Sequence, residues 1–219
     1  MPLGHSAHTL PSGKTSIAGG VAGRLMITSE ASSTDATAAD LQSLAIAPDM
    51  SPWVAARAGL GNDFEAGVSA STRAIRIDGR RSFGSDRVAL SIGLGASAIL
   101  AARPMGGSAS GVYGGGFDVP VLLGWRSSAD LYAAWIGPRV GAELFSGELD
   151  AASADETTSA SGRHLHFGGT AGFRAGFRRV YGVIEVQVSY HLADGTLGTR
   201  SLTLSGWSVT PAGGLAVSF

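Results

Sequence analysis

The chain has 219 residues, of which 44% are hydrophobic and 33 are Gly, with no Cys and a formal net charge of -1. Its near-neutral charge argues against nucleic acid as a partner, and the lack of Cys excludes disulfides and thiolate metal sites. No run approaches the roughly 18 apolar residues that a membrane helix needs, although a membrane-crossing strand needs only about 9–11.

The opening Met1-Pro-Leu-Gly-His5 lacks a basic stretch followed by an apolar one. It is read as the start of a mature chain whose export signal has been removed. Alternation then begins. In Ile17–Thr28, Ile17, Val21, Leu25 and Ile27 are apolar, and Ser16, Gly20, Arg24 and Thr28 are not. Phe64–Ala74 behaves likewise. In Arg87–Leu100, Val88, Leu90, Ile92 and Leu94 alternate with Arg87, Ser91, Gly93 and Gly95. The pattern continues through Tyr113–Trp125, Tyr132–Leu144, Arg163–Arg178 and Tyr181–Leu192, where Val183 breaks it. It closes in Trp207–Phe219, whose greasy parity is Trp207, Val209, Pro211, Leu215, Val217 and Phe219. Period-2 segments with no competing helical period predict an all-β protein. Phase slips near Ile75–Ile77 and Ser205–Gly206 suggest β-bulges.

The final strand, apolar at alternate positions and ending in Phe219, resembles the C-terminal strand of bacterial outer-membrane β-barrels, where a terminal Phe is the usual assembly signal. The resemblance implies a closed antiparallel transmembrane barrel over residues 14–219, preceded by a flexible periplasmic segment, 1–13. It also implies the lipid bilayer and the outer-membrane assembly machinery as partners. Short connections at Gly61–Asp63, Arg126–Asp130 and Arg178–Val180 and long polar ones at 29–40, 103–110, 146–162 and 193–200 fit such a barrel. Nine segments stand out, and a single-chain barrel takes an even number. Ten strands are therefore expected, the tenth at Leu41–Ala47, with eight as the alternative.

The same alternation would suit a soluble barrel with its greasy face inward, binding an apolar ligand. The polar parity argues otherwise, because it is Gly, Ser and Ala with Arg and carboxylates and almost no Lys. Only 15% of the chain is charged, too little to coat a soluble surface. Aromatics at strand ends, Trp53, Phe64, Trp125, Tyr132, Tyr181 and Phe219, are placed as interfacial girdles.

The expected lumen lining is Arg24, Arg57, Arg73, Arg87, Asp118, Arg139, Glu143, His164, His166, Arg174, Glu185 and His191, with Glu65 on the same parity. Hairpin geometry predicts two inward pairs, Asp118 with Arg139 and Glu185 with Arg174. His164, His166, Glu185 and His191 share the polar face, but no zinc spacing is present. Asp49, Asp63 and Asp78 are read as turn residues. Tyr190–Gly195 weakly resembles the His-x-Ser motif of outer-membrane lipid A deacylases, yet Ala193 occupies the nucleophile's position. No catalytic residue, metal or cofactor is therefore expected. The functional reading is a non-enzymatic outer-membrane barrel, either a narrow channel for a small solute or a structural barrel whose loops meet a partner. An enzyme acting on lipid at the barrel rim is the alternative.

Overall fold

The computed structural model describes residues 2–31, 50–102, 112–150 and 157–219. Its strands are β1 (Thr15–Gly23), β2 (Leu25–Ala31), β3 (Met50–Gly61), β4 (Phe64–Ser71), β5 (Ala74–Gly84), β6 (Val88–Ala102), β7 (Val112–Arg126), β8 (Tyr132–Asp150), β9 (Thr157–Phe177), β10 (Val180–Leu197) and β11 (Arg200–Ser218). All neighbours pair antiparallel, and β1 pairs with both β3 and β11, which closes the sheet. β2 continues β1 past Arg24: Ala22 faces Ala212 and Leu25 faces Val209 in one register. The wall therefore has ten strands. At the seam the Phe219 N–H donates to the Thr15 carbonyl at 2.9 Å.

The count of ten agrees with the sequence reading, but the tenth strand is β5. The proposed strand at Leu41–Ala47 lies outside the described residues. The phase slip at Ile75–Ile77 is no bulge. The chain turns at Thr72-Arg73, so the alternation restarts at Ala74. Asp78 consequently stands in mid-strand rather than in a turn.

The greasy parity faces out. Ile17, Val54, Val68, Leu94, Ile136, Phe173, Ile184 and Leu215 are all exposed in the isolated chain, and together they form a belt around the wall. A soluble barrel would bury this set, so lipid is the solvent for which the face is built. The chain is thus a transmembrane β-barrel of the outer-membrane type.

The belt has readable edges. At the end holding both termini lie Phe64, Phe83, Phe177, Phe219 and the Trp125–Tyr132 ring pair, 5.4 Å between centroids. At the other end Phe167, Tyr190 and Trp207 form a row of tilted ring contacts across three strands. Two of the expected girdle aromatics are not there. Trp53 and Tyr181 are inward and buried, at 3% and 5% exposure.

Beyond Leu144, Leu165 and Leu192 the outward positions become Ser146, Arg163 and Asp194. Strands β8 to β11 run 19, 21, 18 and 19 residues, far more than the roughly 9–11 that cross a bilayer. The polar stretches read as loops at 146–162 and 193–200 are therefore largely strand, and the second ends in a tight turn at Gly198-Thr199. The slip at Ser205–Gly206 has a related cause. Leu202 and Leu204 are apolar on the inward parity, where they line the inside of the projecting wall. The nearby irregularity opposes Trp207 and Ser208 to β2, where Thr28 and Met26 face them and Ile27 is the extra residue.

Placing Arg at Leu94, mid-strand on the lipid face, should cost roughly 2–4 kcal/mol, read as a lowered denaturant midpoint for folding into bilayers. A variant as stable as the parent would reverse the assignment of faces.

Candidate functional site

The inward parity carries three stacked polar layers. The middle one is an ion-pair chain. Arg57 of β3 bonds Glu65 of β4 and Asp78 of β5. Asp78 also takes Arg76, whose Nε donates to Asp118 Oδ1 of β7 at 2.7 Å. Asp118 Oδ2 accepts from Arg139 Nε of β8 at 3.0 Å, and Arg139 Nη1 reaches Gln187 Oε1 of β10 at 3.2 Å. Each residue in this chain except Asp78 is at most 8% exposed. Removing one member would strand its partners as bare buried charge.

Arg76 and Asp78 of this chain lie on β5, as does Arg80, which also pairs with Glu65; the sequence reading has no strand there, omits both arginines and takes Asp78 for a turn residue. The predicted Asp118–Arg139 pair forms, though on the diagonal: Asp118 faces Gly141, and Arg139 faces Pro120. The predicted Glu185–Arg174 pair does not. The turn is Arg178-Arg179, with Arg178 at φ 59, so Val180 faces Phe177 and Glu185 faces Gly172. Arg174 instead donates to Asp130 Oδ1 at 2.6 Å, beside the Tyr181 ring.

The layer nearer the termini is built around the chain's own first residues. The sequence reading expected a flexible periplasmic segment there, but residues 2–8 lie inside the barrel, mostly buried. Glu185 accepts the Leu3 N–H at 2.8 Å and the Gly4 N–H at 2.9 Å. Arg80 donates to the Ser6 carbonyl and, at 3.0 Å, to the His8 carbonyl. Glu65 accepts the Leu10 N–H at 2.8 Å. Leu3 and Ala7 enter an apolar cluster with Leu122, Trp135, Tyr181 and Val183. Burial lowers both imidazoles, with Arg57 and Arg80 adding repulsion at His5 and Arg126 and Arg174 at His8. His5 falls well below its ordinary value and His8 falls to about 4, so both are neutral when seated.

The third layer is a hydrogen-bonded chain. Ser208 Oγ stands 2.7 Å from His191 Nε2, His191 Nδ1 stands 2.8 Å from His164 Nε2, and His164 Nδ1 stands 3.3 Å from Glu143 Oε2. One proton assignment satisfies all three contacts: Ser208 donates to His191, His191 to His164, and His164 to the carboxylate. Arg73 flanks Glu143 at 3.4 Å, and the His166 ring lies 5.4 Å from that of His164, tilted by 33°. The expected grouping of His164, His166 and His191 is therefore real. Glu143 joins it and Glu185 does not. Arg24 is half-buried at the join of β1 and β2. Arg87 is not luminal. It is exposed in the 85–87 turn, where its N–H meets Ser85 Oγ and strand parity no longer applies. No group of three or more metal-ligating side chains converges among the described residues.

No family model and no curated protein matches the chain. Solved structures that align with it include Neisserial surface protein A, at 11% identity over 95% of this chain and 100% of that one, TM-score 0.37. Ail of Yersinia pestis aligns at 14% identity over 95% and 99%, TM-score 0.32. The translocator domain of NalP from Neisseria meningitidis aligns at 10% over 96% and 90%, TM-score 0.36.

Asp118→Asn should cost roughly 3–5 kcal/mol in a denaturant titration, because Arg76 and Arg139 lose a shared buried counter-charge. Asp86→Asn, whose side chain is fully exposed, is the control and should leave the midpoint unchanged.

Proposed function

We propose that this protein is a closed membrane scaffold acting through its outer face, and not an open solute channel. The observation that carries the reading is the ion-pair chain from Arg57 on β3 to Gln187 on β10, which crosses the lumen. The N-terminal segment fills the lumen on one side of that layer and the Ser–His–His–Glu layer lies on the other. A channel wall would leave its cations hydrated, whereas these guanidiniums are spent on carboxylates. The projecting ends of β8–β11, polar on the outside, present a surface to a partner beyond the membrane. The exposed Arg163–Asp194 pair, at 2.9 Å, and the Ser161–Thr196 contact lie on it. Phe219, closing the seam with Thr15, suits recognition by the assembly machinery. In planar bilayers the intact protein should show no conductance steps in molar KCl; regular steps with anion preference would restore the channel reading.

One observation favours a second reading, an enzyme acting on acyl esters. The Ser208–His191–His164–Glu143 chain has the order nucleophile, base, orienting group. In that reading Ser208 Oγ bonds the acyl carbon while its proton passes to His191 and on to the leaving alcohol, and water later cleaves the acyl-serine. Against it, Ser208 is only 1% exposed. A fluorophosphonate should leave the refolded protein unlabelled if it is a scaffold. Labelling that disappears in Ser208→Ala would support the enzyme.

A further inference from the structure

The wall holds the N-terminal segment in an unusual way. Five hydrogen bonds run between wall side chains and residues 3–10, and each ends on a main-chain atom: the amides of Leu3, Gly4 and Leu10 and the carbonyls of Ser6 and His8. Among the described residues, the segment's own polar side chains bond only within it. His5 Nδ1 faces the Ser6 carbonyl, Ser6 Oγ faces the His8 carbonyl, and neither ring nitrogen of His8 has a partner among the described residues. Glu185, 3% exposed, spends both oxygens on this segment.

Two places screen side chains for size, and Leu3 and Ala7 are also buried in the apolar cluster with Leu122, Trp135, Tyr181 and Val183. Gly4 adopts φ +64, and a Cβ there would stand 2.9 Å from the Trp53 ring. Ala7 fits against Gly124, where a wall Cβ would come within 2.6 Å of the Ala7 Cβ. The segment leaves the wall through Pro11, Ser12 and Gly13, all exposed.

We propose that the terminus-side half of the lumen is a binding site for the main chain of a bent peptide, and that residues 2–10 are its detachable occupant. The site reads two amides with one carboxylate, two carbonyls with one guanidinium, and demands Gly and Ala in register three residues apart. Arg80 keeps Glu65 as a partner when the segment leaves, at 2.9 Å. Departure leaves Glu185 and the apolar cluster of Leu122, Trp135, Tyr181 and Val183 open to water, so the emptied site favours refilling by a peptide. This inference rests on the closed-lumen reading only for its effect on conductance; its test reads accessibility and binding.

The chain has no Cys, so one can be introduced as a reporter. In the full-length protein in bilayers, Ser6→Cys should react with a soluble maleimide about tenfold or more faster than Ser91→Cys, an equally buried wall position. Adding Glu185→Gln should raise the Ser6→Cys rate by about tenfold again, since two charge-assisted bonds are weakened. His8→Ala should leave it unchanged. Gly4→Val and, independently, Ala7→Leu should bring it to the rate of Ser12→Cys. A fluorescent peptide of residues 1–12 should then bind the Gly4→Val protein, as should its double His-to-Ala version, whereas the Gly4→Val peptide should not. The proposal fails if Ser6→Cys reacts no faster than Ser91→Cys, if Glu185→Gln leaves the rate unchanged, or if no peptide binds either unseated variant. An open channel with a seated segment would overturn the scaffold reading and leave this one standing.

Discussion

Every charge pointing into this barrel must find its counter-charge within a space that side chains already fill. That constraint explains the composition of the inward face. Arg donates in a planar fork and can satisfy two carboxylates at once, as Arg57 does with Glu65 and Asp78 and Arg76 with Asp78 and Asp118. Lys could not bridge in that way, and Lys14 is the chain's single lysine. The small residues follow from the same need. Gly95, facing Asp78 across the hairpin, leaves room for the Arg76 guanidinium, which a Cβ there would meet at 2.3 Å.

The outward face answers to a different solvent. Within the bilayer, backbone groups have no water to bond, and the closed ladder from β1 around to β11 satisfies them. Side chains there need only be apolar, so identity is loose and parity strict. Where parity stays but the outward residues turn polar, past Leu144, Leu165 and Leu192, the strands have left the membrane. The ladder nevertheless continues to Asp150 and Leu197. The inner side of that projecting wall, with Phe145, Ala160, Leu202 and Leu204, becomes a small apolar core.

The N-terminal segment and the wall are complementary in charge and in shape. Arg174 lies one diagonal step from Glu185 but gives its guanidinium to Asp130, and the amides of Leu3 and Gly4 satisfy the Glu185 carboxylate instead. The ion-pair chain above then separates this peptide-filled half from the Ser208–His191–His164–Glu143 chain. Function read from such an interior is function by exclusion of solvent: a lumen ordered this fully supports a scaffold that presents its outer strands.

From the sequence alone, the all-β class, the ten-strand wall, the greasy face toward lipid and most luminal residues follow, because a strand's side chains alternate whatever they pair with. The grouping of His164 and His166 follows for the same reason. What the sequence leaves open is whatever depends on register and on where turns fall. A turn at Arg178-Arg179 instead of Arg179-Val180 put Glu185 diagonal to Arg174, whose guanidinium goes to Asp130, and a turn at Thr72-Arg73 made β5 a wall strand and brought Arg76, Asp78 and Arg80 inward. Ser208 could be assigned to the inward face from its parity, but not to His191, seventeen residues away on the neighbouring strand. Nor could residues 2–10 be recognised as an occupant of the lumen. They have no periodicity of their own, and their place is decided by carboxylates and a guanidinium that only the closed barrel brings around them.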